Sequence, residues 1–512
     1  RARRALALSA VLAVAWGTNA ALQAGNTAFQ TGNAHYARGE LEEAREAYHA
    51  CLREQPERTD CATNLASVLV DLGPQNEALA EALYRRVLAI DENHADAAFN
   101  LALLLQDRKT EEATRECVAL YQVVVAADPQ LPDAWSNLAS AYAELRNPVQ
   151  AVRASQRAIV LLEQAQQAAA GAPDEAAEAT LGKLYFLLAM ALVELTEAQC
   201  AEVVAMPDSL LVGVDEHGHA EEAGLPLTAV CHENALNALR SSLEYRPNEP
   251  QAEHMLEALS SARGAEGAAR LQRASPQFVR SLFDDFSDTF EEKLHALQYK
   301  VPQLIGERVG SLASARGAPY ATALDAGCGT GLAGPLLRPH VRGALVGVDL
   351  SEKMLALARG LHTPAPKHAP VYSRLVAADL LTLRAEALLP AAAAEAGEAA
   401  AFELVAAADV LVYFGELGAL LQAFAAVTAE GGDLVFSCER ASEEEAPDGW
   451  RIRPSGRFAH TKPYVLQAAA AAGYTLLSYR EITPRFENGA AVRGHMFAMR
   501  RSESPAMTMR MG

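Results

Sequence analysis

"LDAGCGTGLAG", residues 324–334, is the stretch on which the fold turns. An apolar run ends in Asp325, and Gly327, Gly329 and Gly331 come next at alternate positions with small residues between them. Bare backbone directly after a strand lets the chain pass close beneath a nucleotide-like ligand. The spacing is G-x-G-x-G, not G-x-G-x-x-G. No Lys-Ser or Lys-Thr comes after it, which excludes a phosphate-cradling P-loop, and the loop carries no basic side chain for a pyrophosphate.

Working outward, the same pattern recurs. "ALVGVDL", "SRLVAAD", "FELVAAADVLVY" and "GDLVFSCE" are short apolar runs, most of them ending in or containing an Asp. Helical stretches such as "SEKMLALARGL" and "ELGALLQAFAAVT" separate them. Continuous apolar strands alternating with helices predict a parallel, doubly wound sheet buried on both faces. "YTLLSYREI" and "GHMFAMRR" are expected to complete it as an antiparallel pair. Such sheets bind ligands outside the carboxyl ends of their strands. Asp325, Asp349, Asp379 and Asp409 fall at or near four successive strand ends, where a lone Asp would be only a common turn residue. Asp349 is placed to accept from ribose hydroxyls and Asp379 from an adenine amino group.

The first half has another period. Residues 25–58 read "GNTAFQTGNAHYARGELEEAREAYHACLREQPER", and 133–159 read "DAWSNLASAYAELRNPVQAVRASQRAI". Gly32, Ala44, Tyr48 and Pro56 in the first, and Trp135, Leu138, Ala139, Tyr142, Ala151 and Ala158 in the second, match the small, aromatic and terminating positions of tetratricopeptide repeats. Small residues let paired helices approach, and each unit leaves an apolar face that the next one covers. A generic Ala-rich bundle is the competing reading. The pattern loosens after Ala170 and returns near Thr228, with Pro247 as a helix terminator. His217 and His219 lie in a polar loop between, where solvated histidines are expected rather than metal ligands.

The chain of 512 residues is half hydrophobic, enough for two to four domains at roughly 100–200 residues each. A net charge of −20 argues against nucleic acid or an anionic membrane as partner. Seven scattered cysteines without a C-x-x-C pair predict reduced thiols in an intracellular protein, cytoplasmic or organellar, and no metal site. "RARRALALSAVLAVAWGTNAALQAG" carries a basic start and an apolar run from Ala5 to Trp16, too short for a span of about 20 residues. It reads as a targeting element, a capping helix or an anchor, and no other segment is expected to span a bilayer.

These motifs resemble a known family. "LDAGCGTG", "VGVDLSEKMLALAR", "AADL" and "FELVAAADVLVYFGEL" are similar to the successive motifs of class I S-adenosylmethionine-dependent methyltransferases. "SPQFVRSLFDDFSDTFEEKLHALQYKVPQLIGE" and "SGRFAHTKPYVLQAAAAAGY" resemble the entry and late regions of members that carry N-terminal tetratricopeptide repeats. The resemblance implies an α + α/β chain: a possible targeting or capping segment at 1–24, a repeat solenoid at 25–262, a linker at 263–275, a Rossmann-like methyltransferase domain with a mixed seven-stranded sheet at 276–501, and a tail at 502–512. It implies that Asp325, Gly327, Cys328, Gly329 and Gly331 line the methionyl part of S-adenosylmethionine. Asp349 would hold the ribose, Leu350 and Met354 would lie beside the adenosine, Asp379 and Leu380 would meet the adenine, and Asp409 would lie under the sulfonium. Cys328 would be a small filler, not a nucleophile.

The acceptor is not named by the residues. Tyr413, Glu439 and His460 are the acceptor-side candidates, and His460 has the unperturbed pKa that suits a general base near neutral pH. Arg457 and Lys462 flank it and would orient an anionic acceptor, or His460 and Arg457 merely pin a loop. Phe283, Phe286 and Phe290 fall at helical spacing, as core packing or as a lid. The repeats are expected to recruit a protein or peptide partner, with a small molecule or protein as methyl acceptor. Two other readings stay open: a repeat scaffold with a catalytically weak methyltransferase fold, and a nicotinamide-dependent oxidoreductase, which leaves Asp379 and Asp409 without a role.

Overall fold

The computed structural model describes residues 22–168, 174–206, 211, 226–262, 271–287, 290–363, 369–389, 401–487 and 489–502. The chain divides into two compact units, Arg1–Pro247 and Asn248–Gly512. The N-terminal segment before residue 22, the loop with His217 and His219, and the tail from 503 lie outside the described residues.

The first unit is helical. A helix at 22–37 precedes Leu41–Glu54, Thr59–Asp71, Glu77–Ile90, Ala95–Gln106, Glu111–Ala127, Pro132–Glu144, Pro148–Ala168, Glu175–Glu194, Glu197–Val204 and Leu227–Tyr245. From Leu41 to Glu194 each long helix packs on the next. The small residues set the approach: Ala44, Ala139, Ala151 and Ala158 are fully buried, and a Cβ on Gly32 would lie 2.6 Å from the buried Tyr48 ring. Among the described residues, Glu175–Glu194 is long and apolar enough to cross a membrane, contrary to expectation. It packs against Pro148–Ala168 and Leu227–Tyr245 and buries Leu181, Leu184, Leu188 and Leu192.

The cysteines correct the expectation of reduced thiols. Cys51 pairs with Cys61 and Cys200 with Cys231, leaving Cys117, Cys328 and Cys438 free and buried. Cys51 lies in the last turn of one helix and Cys61 in the first turn of the next, so the tight reversal between them brings their Cα atoms to 6.4 Å. Pro56 marks the end of the first helix in the sequence, but the pairing of the two thiols across the reversal follows only from the fold.

The second unit opens with helix Pro250–Ala262. Contacts with later segments of the same unit hold that helix: His254 stacks on Phe278 at 3.8 Å and its Nε2 lies 2.8 Å from the Gly456 carbonyl. The division therefore falls between Pro247 and Asn248, ahead of the sequence-derived linker. Helices Pro276–Phe286, Phe290–Ala296 and Val301–Arg316 lead to the sheet. Its strands are β1 (Ala323–Ala326), β2 (Leu345–Asp349), β3 (Arg374–Ala377), β4 (Phe402–Ala407), β5 (Thr428–Arg440), β6 (Trp450–Ile452), β7 (Phe458–His460) and β8 (Tyr474–Ile482), then a small ribbon of β9 (Phe486–Glu487) and β10 (Ala490–Ala491), and β11 (Gly494–Arg501).

The sheet is Rossmann-like and mixed. Its main order is β3-β2-β1-β4-β5-β11-β8, parallel from β3 to β5, with β11 antiparallel to both neighbours. Seven strands form this path as expected, and the β6–β7 hairpin adds two more beside the end of β5. Successive side chains of a strand point to opposite faces. Hence Leu324, Val346, Val348, Val405 and Ala407 enter one core while Ala323, Leu345, Leu404 and Ala406 enter the other. Burial on both faces explains why these strands read as continuous apolar runs. The order reverses at β1, between β2 and β4, and the glycine loop leaves the sheet there.

Candidate functional site

Gly327 lies just past β1 with φ 74°, and its N–H donates to the Val348 carbonyl at 2.7 Å. A Cβ there would lie 2.4 Å from the Val410 side chain, so the close passage of this loop and the turn after β4 favours glycine. Gly329 has φ 54° and faces open space, and its N–H donates to Asp349 Oδ2 at 2.8 Å. The loop after β1 is thus locked to the end of β2.

The four strand-end carboxylates line one cavity, together with Gly327, Cys328, Gly329, Leu350, Leu380 and Tyr413. Along the sheet they stand in the order Asp379, Asp349, Asp325, Asp409, matching β3-β2-β1-β4. Strands lie about 4.8 Å apart, so this row extends over roughly 14 Å. Phe283, Phe290, Leu294, Leu297 and Tyr299 form an apolar wall of the same cavity.

Each carboxylate is held differently. Asp325 is 1% exposed; Tyr372 donates its hydroxyl to Oδ2 at 2.7 Å, and Oδ1 has no partner among the described residues. Burial pushes its pKa up to about 7, against the Tyr372 hydrogen bond and helped by the charge of Asp349. Asp349 accepts from Gly329 N at Oδ2 and from Ser351 N at Oδ1, 3.0 Å away; burial raises its pKa while these bonds oppose the rise. Each of its oxygens keeps a second lone pair for a hydroxyl. Asp379 caps the turn Leu380–Thr382 through Leu381 N at 3.0 Å and accepts from Arg273 at 2.9 Å. Asp409 sits just past β4 at φ 59°, a left-handed conformation that Asp tolerates better than most residues. Arg485 donates to its Oδ2 at 3.0 Å, and Oδ1 is buried without a partner among the described residues. Thr330, whose buried Oγ1 likewise has no partner among the described residues, belongs to the same lining.

Not every expected residue reaches the cavity. Gly331 turns the loop behind it, where a Cβ would lie 2.6 Å from Leu361. Met354 is fully buried in helix Glu352–Arg359, beneath the loop after β2, and does not line it. Burial raises the Cys328 thiol well above its usual pKa, which suits a filler. His460 is corrected as a general base: it is fully buried, does not line the cavity, and its Nε2 lies 2.8 Å from the Phe414 carbonyl and 3.2 Å from that of Gly415. Burial lowers its pKa to about 4, so the ring stays neutral and pins the loop after β4. Glu439 is 3% exposed and committed to Arg485, and Lys462 lies over the Tyr479 ring at 3.9 Å, away from the lining. Tyr413 does line the cavity, with burial raising its pKa. Phe286 is absent from the lining and carries Lys293 over its ring.

Arg273, Tyr299 and Arg485 carry no signal in the sequence that marks them for the site, whereas Thr330 stands inside the glycine stretch, whose position after β1 is its signal. Arg485 is the most consequential: 2% exposed, it joins Asp409, Glu439 and Glu487 in one ionic cluster, with Arg457 donating to Glu487 at 2.6 Å. It comes from the loop after β8, and nothing local in "TPRFEN" signals a partner after β4. Arg273 lies in the segment expected to be a linker, yet its described part, 271–275, is tied down by the Ala274 N–H donating to the Tyr413 carbonyl at 2.8 Å.

Residues 324–434 match the methyltransferase domain family. The methyltransferase match runs from β1 into β5, across all four strand-end carboxylates. No curated protein matches the chain. Among solved structures, magnesium protoporphyrin IX methyltransferase from Synechocystis with bound SAM is 17% identical, covering 44% of this chain and 97% of its own, with a TM-score of 0.32. The N-methyltransferase NodS from Bradyrhizobium japonicum, in complex with S-adenosylhomocysteine, is 16% identical over 44% of this chain and 99% of its own, with a TM-score of 0.32. Likeness at this level carries nothing about what this chain binds or methylates.

Proposed function

We propose that the second unit transfers a methyl group from S-adenosylmethionine and that the helical unit is a tetratricopeptide array that recruits a protein substrate or partner. The observation that carries the first part is the row of four carboxylates along one cavity beside a glycine loop. The residues fit the donor. Asp325 Oδ1 and Thr330 Oγ1 are buried acceptors that suit its ammonium group, Asp349 keeps lone pairs for two ribose hydroxyls, and Leu350 and Leu380 offer apolar surface to the base. The Arg273 pairing with Asp379 closes the adenine end. The bound donor supplies an electrophilic methyl on a sulfonium, so the protein's own task is to align the acceptor and exclude water. Phe283, Phe290 and Tyr299 serve that exclusion.

Support for the repeat reading is the succession of packed helices and the burial of Ala44, Tyr48, Ala139, Tyr142, Ala151 and Ala158 at the pattern's small and aromatic positions. Such arrays offer an extended surface to a peptide or helix.

Calorimetric titration of the full chain with S-adenosylmethionine, S-adenosylhomocysteine and NADH tests the cofactor. Both adenosyl compounds should bind in preference to NADH. Asp349→Ala should weaken them by about 10- to 100-fold, the worth of a charge-assisted acceptor. A preference for NADH, or an unchanged affinity in Asp349→Ala, overturns the reading.

A further inference from the structure

Of the four carboxylates that line the cavity, Asp409 is the one on the far side of β1 from the adenosyl end. Along the sheet edge Asp379 and Asp349 come first and Asp325 marks the middle. A donor laid from β3 to β1 therefore ends beside Asp409. Its surroundings there differ from those of the other three. Oδ2 is fixed by Arg485, which is itself held by Glu439 and Glu487, so the carboxylate cannot turn freely. Oδ1 is buried and has no hydrogen-bond donor among the described residues. The backbone holds a left-handed conformation to place it, a strain that clusters at functional positions.

The other ionisable groups on this side of the cavity are less suited to receive a proton. Burial raises the pKa of both Tyr299 and Tyr413, so each keeps its hydrogen. Glu439 is committed to Arg485, and His460 is outside the lining. Arg457 and Arg485 are donors only.

Resting on the methyltransferase reading above, we propose that Asp409 is a catalytic residue facing the acceptor, and that the acceptor is a hydroxyl or an amine on an apolar body. Such a nucleophile brings its own hydrogen, which is what the unpaired Oδ1 accepts. A thiolate or carboxylate acceptor brings none and would meet a second negative charge. The acceptor atom uses its lone pair for the new bond to the methyl carbon, and the proton it loses passes to Asp409 Oδ1. The electron pair of the broken carbon–sulfur bond stays with the departing thioether. Arg485 is a positioning residue: it holds Oδ2 and thereby leaves Oδ1 for the acceptor. The aromatic wall of Phe283, Phe290 and Tyr299 sets the apolar character of the rest of the acceptor.

The test needs no knowledge of the acceptor. Sinefungin is a donor analogue with carbon in place of sulfur and an amino group in place of the transferred methyl. That amino group probes what faces the methyl. The full-length wild-type chain should bind sinefungin about 10- to 100-fold more tightly than S-adenosylhomocysteine, through a charge-assisted hydrogen bond to Asp409. Asp409→Asn, which tolerates the same backbone conformation, should lose most of that preference. The ratio of the two dissociation constants is the readout, because general damage to fold or pocket weakens both ligands alike. A wild-type ratio near one, or a preference that persists in Asp409→Asn, overturns the role of Asp409 while leaving the cofactor reading intact. A wild-type chain that binds neither compound overturns the cofactor reading and this proposal with it.

Discussion

His460 is a histidine whose chemistry is set by burial, not by its sequence neighbours. Its Nε2 serves two carbonyls after β4, and its own carbonyl lies 3.2 Å from Nε2 of His495, whose pKa burial also lowers to about 4. Linkage sets the sign. Between about 6.5 and about 4 the unfolded chain binds protons at both rings that the folded chain refuses, so stability falls as pH falls through that window. Asp325 acts oppositely: with its pKa raised to about 7, the folded chain retains a proton that the unfolded chain has released, and stability falls as pH rises toward 7. His460→Gln keeps an amide donor for the Phe414 carbonyl and removes one titrating ring. Urea denaturation near pH 7.5 and near pH 5.5 should show the wild type losing more stability on acidification than the variant. The gap should approach about 1.4 kcal/mol per pH unit below the unfolded pKa. Equal pH slopes would show that His460 titrates in the folded state and restore it as a candidate base.

Helix Pro276–Phe286 is the element where packing and function meet. Ser275 caps it by accepting from Phe278 N at 3.1 Å, and Pro276 sits at the first position, where a missing N–H costs nothing. Its buried side is Phe278 and Val279. Its other contacts lead to the cofactor side: Phe283 meets Tyr413 edge-on at 5.7 Å, Asp284 accepts from the Ser351 hydroxyl at 2.5 Å, and Arg280 donates to the Leu350 carbonyl at 3.3 Å. The helix is thus tethered to the turn that carries Asp349. A ligand that orders this turn should slow amide exchange along the helix. With saturating S-adenosylhomocysteine, protection over Val279–Phe286 should rise at least about tenfold, a modest stabilisation of a local opening. Unchanged exchange there would leave the phenylalanines as core packing only.

At the scale of the whole molecule, the contact boundary after Pro247 makes a prediction that a motif-based boundary does not. Ala258 packs with Trp450, Ile452 and Phe458, and Leu271 adds to that cluster. A chain of residues 248–512 should fold and bind S-adenosylhomocysteine like the full protein. A chain of residues 276–512 lacks these contacts and the His254 bond to Gly456, and exposes a tryptophan and a phenylalanine. Its Tm should be lower by about 3–12 °C for each such side chain exposed, since burying one is worth about 1.5–3 kcal/mol and each kcal/mol shifts a unit of this size by about 2–4 °C. Equal Tm values for the two chains would show that the helix Pro250–Ala262 is dispensable to the second unit.

What the sequence determined by itself was whatever repeats or alternates along the chain. Continuous apolar runs between helices meant a buried parallel sheet, because both faces of each strand are covered. Asp325, Asp349, Asp379 and Asp409 were legible as one set because strand ends in such a sheet share an edge. Gly327 and Gly329 were legible because few other residues adopt that backbone. Tertiary structure decided everything that depends on which distant segments meet. His460 has the pKa of a base in isolation and loses it to burial among carbonyls 45 and 46 residues away. Asp409 resembled its three counterparts until Arg485, 76 residues further on, took one of its oxygens and left the other. Cys51 and Cys61 are joined by a helical reversal that composition cannot see. Local pattern is set by solvent exposure along one element, whereas charge state and pairing are set by neighbours that the chain brings together only on folding.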